Sequence, residues 1–155
     1  MNWDEYFFKM VDLVASKSKD KSTKVGAVVV GPDHRVVATG YNGFPMGVND
    51  NITERYERPA KYMWTEHAER NAIYSAACHG IALKGCVMYT QGSPCADCAR
   101  AVIQAGIIEV RVKEILNEIM EHWRESVYVG VKMFNESGVS IVVCGTGVES
   151  VVAKD

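Results

Sequence analysis

Hydrophobic and polar positions along this chain follow two periods, one typical of helices and one typical of strands. In the first 18 residues, apolar side chains recur at helical spacing with charged residues between them, which predicts an amphipathic helix. Its predicted buried face consists of Trp3, Tyr6, Phe7, Met10 and Val14. Two Val-rich runs, 25–30 and 36–41, flank the sequence Gly-Pro-Asp-His, which is typical of a turn, so a β-hairpin is predicted after the helix.

Helices and strands alternate in the second half of the chain, after an aperiodic stretch over 42–64 whose length is typical of a binding loop. The later predicted elements are helices over 65–80, 93–106 and 125–137 and strands over 86–90, 107–112 and 139–144. Because a helix between successive strands implies a parallel crossover, and the hairpin adds an antiparallel pair, we expect an α/β fold. Its mixed five-stranded sheet would carry helices on both faces.

The predicted elements form one domain over residues 1–144. Residues 113–124 are charged and their structure is ambiguous, and the tail over 145–155 has no partner in this arrangement. The chain length of 155 residues and a hydrophobic content of 48% agree with a single core.

The charge balance bears on the possible partners. Seventeen basic and nineteen acidic residues give a net charge of −2, which argues against a duplex nucleic-acid partner because surfaces that follow phosphates carry a basic excess. A small phosphorylated ligand needs only a few cations and stays possible.

No apolar run approaches the ~20 residues of a membrane span. The N-terminus also lacks the pattern of a signal peptide, so we expect a cytoplasmic location and no membrane partner.

The five cysteines predict metal or thiol chemistry, since a disulfide framework is not expected without an export signal. Cys95 and Cys98 lie three residues apart at a helix start, where both sulfurs face one side and the free N–H groups favour thiolates. With neutral His67 they would neutralise a zinc ion and leave its fourth position open, which is the mark of a catalytic site. Glu69, two residues from His67, could then exchange protons with zinc-bound water.

Each of these motifs also has a structural interpretation. A single Cys-x-x-Cys is often half of a structural zinc site, but the other cysteines, Cys78, Cys86 and Cys144, are isolated in the sequence. A single His-x-Glu is usually a surface pair. The combination of His-x-Glu with a later Pro-Cys-x-x-Cys is the signature of zinc deaminases, in which the Glu is not a metal ligand.

The chain resembles the cytidine deaminase superfamily over about residues 5–143, and within it the family of deoxycytidylate (dCMP) deaminases. The motifs that carry the resemblance are Ser22-Thr23-Lys24-Val25-Gly26-Ala27, Gly40-Tyr41-Asn42-Gly43-Phe44-Pro45, His67-Ala68-Glu69-Arg70-Asn71-Ala72-Ile73 and Ser93-Pro94-Cys95-Ala96-Asp97-Cys98. The last two belong to the whole superfamily, whereas Gly-Tyr-Asn-Gly-Phe-Pro is typical of dCMP deaminases. The resemblance implies a three-layer α/β/α cytidine deaminase-like fold.

The resemblance also implies a reaction, the hydrolysis of dCMP to dUMP, the precursor of thymidylate, with release of ammonia. Hydroxide formed at zinc would attack C4 of the pyrimidine, while Glu69 would protonate N3 and then the departing ammonia. The backbone near Ala68 and Ser93 would position the base, and Asn42 would bind a sugar hydroxyl. Ser22 and Lys24 are the candidates for the 5′-phosphate. Lys24 could equally be a solvated lysine at a strand start, and Asn42 could be a turn residue.

The family further implies a homohexamer that dCTP activates and dTTP inhibits, with Mg²⁺ on the triphosphate. The Gly40-to-Pro45 segment is linked to that regulatory site, for which Asn42, Gly43, Lys24 and Arg70 are the candidates. Some members bind a second, structural zinc through cysteines before the His-Ala-Glu motif. Because no cysteine precedes Cys78 here, we expect one zinc per chain.

Two alternatives stay open at this point. A related deaminase could act on free cytidine, guanine, a riboflavin precursor or adenosine in tRNA, although the acidic charge balance disfavours tRNA. The chain could also be a non-catalytic zinc or nucleotide-binding module with the same fold.

Overall fold

A computed structural model describes residues 1–114, 121–145 and 150–151. Its helices are α1 Trp3–Ala15, α2 Lys61–Trp64, α3 Ala68–Cys78, α4 Ala96–Gln104 and α5 Glu121–Ser137, with a 3₁₀ turn at Thr53–Tyr56. Its strands are β1 Gly26–Val30, β2 Val36–Tyr41, β3 Val87–Gly92, β4 Glu109–Glu114, β5 Ser140–Val143 and β6 Ser150–Val151. None of the described helices is long and apolar enough to cross a membrane.

The strands form one mixed sheet in the order β2-β1-β3-β4-β5-β6. β1 is antiparallel to both β2 and β3, with Val28 opposite Thr39 on one side and Tyr89 on the other. β3, β4 and β5 are parallel, as the helical crossovers between them predict. The α/β class, the five predicted strands and the mixed sheet are therefore confirmed.

The structure corrects two expectations near the C-terminus. The tail was expected to have no partner, but Ser150 and Val151 pair antiparallel with β5 as a sixth strand. Of the ambiguous segment 113–124, residues 113–114 end β4 and residues 121–124 begin α5, four residues earlier than predicted. Residues 115–120 of that segment, and 146–149 and 152–155 of the tail, lie outside the described residues.

Alternate residues of the central strands face opposite layers of helices. On one side, α1 packs Phe7, Phe8 and Val11 against Val28 and Val30 of β1. The opposite side is the larger core, where α3, α4 and α5 contribute Ala72, Val102 and Phe134. The molecule therefore has the three-layer α/β/α arrangement that the resemblance implied.

The buried face of α1 differs from the predicted one. The helix begins with a capping box between Asn2 and Glu5, and it buries Phe7, Phe8, Val11 and Ala15. Trp3, which was predicted to be buried, is 52% exposed. Its ring stacks on His34 in the hairpin turn, with the centroids 4.3 Å apart. The first turn of α1 still lies on the sheet, because Asp4 accepts hydrogen bonds from Tyr89 of β3 and Arg111 of β4. Trp3 is therefore exposed although its neighbour in the helix contacts the strands.

Gly40 sets the distance between β2 and α3. A Cβ at this position would overlap the amide nitrogen of Ala72 and the carbonyl oxygen of Ala68. Only glycine allows the two backbones to approach so closely. This contact fixes the first turn of α3 against the end of β2.

Candidate active site

His67, Cys95 and Cys98 converge on one point although they come from distant parts of the sequence. One ligand atom from each residue lies within 4.8 Å of the other two. His67 Nδ1 is 3.5 Å from Cys95 Sγ and 3.4 Å from Cys98 Sγ. One imidazole and two thiols are a donor set that zinc prefers, and three protein ligands leave its fourth position open. The residues therefore fit a catalytic zinc ion.

Two helix N-termini bring these ligands together. His67 is the N-cap residue of α3, Cys95 is the N-cap residue of α4, and Cys98 lies in the first turn of α4. The two helices pack against each other, and neither N-cap side chain forms a capping hydrogen bond. The partial positive charge of each N-terminus favours thiolates and negatively charged groups nearby. The metal ligands thus occupy positions where the fold supplies that charge.

The pKa values of the two thiols are shifted in opposite directions. A hydrogen bond with Cys98 lowers the pKa of Cys95 to about 4. A hydrogen bond with His67 also lowers this pKa, whereas burial raises it. The hydrogen bond between the two thiols, together with burial, raises the pKa of Cys98. A hydrogen bond with Cys95 also raises the pKa of His67. Metal binding therefore displaces protons from this group, as it does in other thiolate sites.

Glu69 places a carboxyl group next to the metal ligands without being one of them. The residue is buried in the first turn of α3, and its Oε2 lies 3.6 Å from Cys98 Sγ. Burial raises the pKa of Glu69 above its ordinary value of 4.5. A carboxyl group with a raised pKa holds a proton more readily than an exposed one, which suits a general acid and base.

A cavity of about 330 Å³ opens beside the cluster. Its described lining residues are Asp20, Thr23, Val25, Asn42, Arg58, Lys61, Tyr62, Thr65, His67, Ala68, Glu69, Gln91, Gly92, Ser93, Cys95, Trp123 and Val127. The buried hydroxyls of Ser93 and Thr65 have no hydrogen-bond partner within the described part of the chain. Buried polar atoms without a partner are rare, so a bound molecule is expected to satisfy them.

Ala68, Ser93 and Asn42, three of the residues predicted to bind substrate, are in the cavity wall. The Asn42 side chain also holds the segment before β1, because Oδ1 accepts a hydrogen bond from the Val25 amide and Nδ2 donates to the Thr23 carbonyl, each at 2.8 Å. The Asn42 amide group has one further hydrogen to donate. Asn42 therefore combines a structural role with a position at the cavity.

Ser22 and Lys24, the candidates for the phosphate, are not among the residues that line the cavity. The Ser22 hydroxyl donates to Asp20 Oδ1 and accepts from Lys61 Nζ, each at 2.9 Å. Lys24 is exposed. The Ser22 hydroxyl therefore contacts two cavity-lining residues, Asp20 and Lys61, without lining the cavity itself.

The cavity wall also contains a buried ion pair that the sequence motifs did not predict. Lys61 Nζ lies 2.8 Å from Asp20 Oδ2, and both side chains are at most 9% exposed. Burial raises the pKa of Asp20, but hydrogen bonds from Lys61 and from the Ser22 and Thr23 amides outweigh it and lower the pKa to about 2. The Asp-x-Ser spacing indicates a local turn around Asp20. No local pattern connects Asp20 with a lysine 41 positions later.

Two of the four candidates for the regulatory site, Gly43 and Arg70, contact Glu66. Gly43 donates its amide to the Glu66 carbonyl and accepts a hydrogen bond from the Glu66 amide. The Arg70 guanidinium pairs with the Glu66 carboxylate at 2.6 Å and faces Asp97 at 3.6 Å. Gly43 and Arg70 are thus close together, while Asn42 lies in the cavity wall.

Helix α5 completes the cavity from outside the sequence motifs. It contributes Trp123 and Val127 to the lining, and the Trp123 ring contacts the His67 ring with the centroids 5.5 Å apart. Ser126 Oγ accepts a hydrogen bond from the Ala96 amide at 3.0 Å. A Cβ at Gly130 would lie 2.9 Å from the Pro94 carbonyl oxygen, so α5 packs directly on the turn that carries the cysteines.

Comparisons with known proteins agree with this geometry. The model of a family described as "Cytidine and deoxycytidylate deaminase zinc-binding region" matches residues 1–114. The chain is 41% identical over 139 residues to a protein of Aliivibrio fischeri named "Uncharacterized deaminase in luxG 3'region". The matched region covers 90% of this chain and 91% of that protein. It is 36% identical over 145 residues to the deoxycytidylate deaminase of Homo sapiens, covering 90% of this chain and 78% of that protein.

Solved structures show the same architecture. The dCMP deaminase of cyanophage S-TIM5 in its apo form matches with a TM-score of 0.70 and 28% identity, over 89% of this chain and 94% of that chain. The complex of that enzyme with dCMP and dUMP matches with a TM-score of 0.71 and 26% identity, over 88% of this chain and 93% of that chain. These matches confirm the predicted cytidine deaminase-like fold.

Proposed function

Since the chain belongs to the family of cytidine and deoxycytidylate deaminases, we propose that it catalyses the hydrolytic deamination of dCMP to dUMP with release of ammonia. One observation carries the proposal, the convergence of His67, Cys95 and Cys98 beside the Glu69 carboxyl group at a cavity. The names of the human relative and of the cyanophage enzyme support dCMP as the substrate. The Gly40-to-Pro45 segment, which is typical of dCMP deaminases, supports it as well.

His67, Cys95 and Cys98 would hold the metal, and zinc when bound supplies hydroxide at neutral pH by lowering the pKa of water to about 7. Glu69 would take a proton from the attacking water and deliver it to N3 of the pyrimidine as the water oxygen bonds to C4. It would then take the remaining proton of that oxygen and pass it to the amino group at C4, so that the C4–N bond breaks, the C4 carbonyl forms and ammonia leaves. Because Glu69 is buried and not a ligand, its carboxyl group is free to change protonation state during the reaction.

The cavity wall orients the base and the sugar. Ser93 and the backbone at Ala68 position the pyrimidine, and the Ser93 hydroxyl, which has no hydrogen-bond partner among the described residues, supports a polar contact there. Asn42 offers its remaining amide hydrogen to a sugar hydroxyl. Trp123 and Val127 cover one side of the cavity with apolar surface and reduce access of other water.

The direct test is ammonia release from dCMP, with the zinc content measured on the same sample. We expect one zinc per chain and a kcat/KM for dCMP well above that for deoxycytidine. Cytidine, guanine and adenosine in tRNA complete the substrate panel. Faster turnover of any of these, or full activity in a sample without a bound transition metal, would contradict the proposal.

We further propose that dCTP activates and dTTP inhibits the enzyme, each bound with Mg²⁺, in a homohexamer that supplies dUMP for thymidylate synthesis. Asn42, Gly43, Lys24 and Arg70 are the candidate regulatory residues. The Gly43 amide donates to Glu66, so it must leave that partner to reach a phosphate, whereas Lys24 is exposed. A sigmoidal dependence of rate on dCMP that shifts with either triphosphate supports regulation. A hyperbolic dependence of rate on dCMP that neither dCTP nor dTTP changes would contradict it.

The same proposal assigns residues 1–144 to the catalytic domain and 145–155 to a C-terminal tail. The tail contributes no described residue to the cavity lining, although Ser150 and Val151 pair with β5. Truncation after residue 144 is therefore expected to retain deamination of dCMP. Loss of activity without loss of folding would place the tail in the catalytic unit.

A further inference from the structure

We propose that Arg58 recognises the 5′-phosphate of the nucleotide substrate. The inference rests on the proposed function and names the residue that distinguishes a nucleotide from a nucleoside at the same cavity. Arg58 lies in the aperiodic segment before α2 and belongs to no motif that the sequence analysis used. It lines the cavity that contains His67 and Glu69, and it is exposed to solvent.

The charges along the cavity wall favour Arg58 over Lys61 as the phosphate ligand. Lys61 lies 2.8 Å from the Asp20 carboxylate and 2.9 Å from the Ser22 hydroxyl, so its charge is already compensated. A dianionic phosphate placed on this pair would also meet the negative charge of Asp20. Arg58 has no carboxylate partner in the described ranges, and it therefore carries the uncompensated positive charge of the described wall.

The Arg58 side chain is oriented in a way that leaves its phosphate-binding edge available. Its Nε donates a hydrogen bond to the Tyr62 hydroxyl at 3.0 Å. Among the described residues nothing engages its two terminal Nη groups, so both can make a bidentate contact with phosphate oxygens, the geometry that guanidinium groups favour. Since the residue is exposed, it loses its bound water only when a ligand binds.

A continuous aromatic wall connects Arg58 with the metal ligands. The Tyr62 ring, whose hydroxyl accepts from Arg58, contacts the Trp123 ring edge to face at 6.0 Å. Trp123 in turn contacts the His67 ring at 5.5 Å. A nucleotide with its base at Glu69 extends along this wall, and its phosphate meets the guanidinium group.

The experiment compares dCMP with deoxycytidine in the zinc-loaded protein. Arg58→Gln is expected to lower kcat/KM for dCMP about 10- to 100-fold, mainly through KM, because hydrogen bonds to a charged group are lost. Deoxycytidine has no phosphate, so the kcat/KM of the variant for deoxycytidine should equal that of the wild type. Arg58→Lys should retain part of the preference, since it keeps the charge but loses the bidentate contact.

Two further variants distinguish this proposal from its alternatives. Arg35→Gln removes the same charge in the hairpin turn, where Arg35 pairs with Asp33 outside the cavity, and it should leave both substrates unaffected. Lys24→Gln tests the candidate from the sequence analysis. A selective loss of dCMP turnover in Lys24→Gln but not in Arg58→Gln would overturn the assignment. An equal loss for both substrates in Arg58→Gln would also overturn it, because that result indicates a structural role.

Binding measurements separate this inference from the proposed function. If the wild type binds dCMP more tightly than deoxycytidine in calorimetry but does not deaminate it, the proposed function fails. Loss of that binding preference in Arg58→Gln would still support the assignment. A wild type without any preference for dCMP, or a preference unchanged in Arg58→Gln, would overturn it.

Discussion

The carboxyl group of Glu69 lies 3.6 Å from the sulfur of Cys98, although the two residues belong to different helices and are 29 positions apart. The contact joins the first turn of α3 to the first turn of α4. It brings a buried group with a raised pKa to the edge of the metal ligands. In the proposed mechanism, proton transfer by Glu69 and metal binding by Cys98 therefore depend on the same packing contact between two helix N-termini.

Glu69→Gln is expected to keep zinc and lose catalysis. Glutamine has nearly the same volume but cannot exchange a proton, so kcat should fall about 10²- to 10⁴-fold, the usual contribution of a general acid and base. Zinc content by elemental analysis and ammonia release should be measured on the same preparation. Glu54→Gln, an exposed carboxyl group outside the cavity, is the matched control. An active Glu69→Gln enzyme would rule out the proton-transfer role.

Cys95→Ala and His67→Ala are expected to lose the metal. Each removes one of three ligands, and two remaining protein ligands bind zinc weakly. Cys78→Ala removes an exposed thiol that is not part of the cluster and should keep one zinc per chain. Elemental analysis after dialysis distinguishes the variants. Full zinc occupancy in either ligand variant would mean that the metal lies elsewhere.

The Asp20–Lys61 ion pair predicts a dependence of stability on pH. The pKa of Asp20 is lowered from 3.8 to about 2, so its stabilising contribution is present above pH 4 and is lost as the pH falls towards 2. The shift corresponds to about 2 kcal/mol at neutral pH. Asp20→Asn should destabilise the protein by roughly 3 kcal/mol at pH 7, because it leaves a buried lysine unpaired.

Urea unfolding of both proteins between pH 2 and 7 measures this dependence. Both proteins keep the zinc ligands, so loss of metal at low pH affects them alike. The difference in free energy of unfolding should therefore shrink as the pH falls from 4 to 2. A difference that is constant across this range would contradict the lowered pKa of Asp20.

Gly40→Ala is expected to disrupt the packing of α3 on β2. The added Cβ would overlap backbone atoms of Ala68 and Ala72, which cannot move away as a flexible side chain could. We expect a loss of at least ~2 kcal/mol of unfolding free energy and a lower zinc content, since α3 carries His67 at its N-cap. Gly43→Ala, where the nearest atom is Tyr41 Cε2 at 3.6 Å, should be much less destabilising. Equal thermal stability of the two variants would contradict this account.

The fold could be predicted because each layer leaves a local pattern in the sequence. Strands that are buried on both sides are continuous apolar runs, as in Gly26–Val30, and their connecting helices have apolar residues at helical spacing. The exposed Trp3 shows where this reasoning fails. Periodicity identifies an apolar face but does not show how deeply each residue of that face is buried.

The zinc ligands could be predicted because each half of the site is a short motif at a helix start. The rest of the cavity has no such local pattern. Asp20 and Lys61 are paired only by the fold, and Trp123 belongs to a charged segment whose structure was ambiguous. Arg58 lies in an aperiodic stretch where spacing carries no information. Long-range contacts of these kinds become visible only when the tertiary structure is known.

Helix α5 contributes to the cavity wall without carrying any of the candidate reacting groups. Those groups stand on α3 and α4, within the residues matched by the family, whereas Trp123 and Val127 come from a helix beyond residue 114. Ser126 attaches this helix to the cysteine turn through its side-chain hydroxyl, and Gly130 allows close contact because it has no side chain. Exchanging the cavity-facing side chains of α5 between related enzymes is therefore a route to new selectivity that leaves the hydrolytic machinery unaltered.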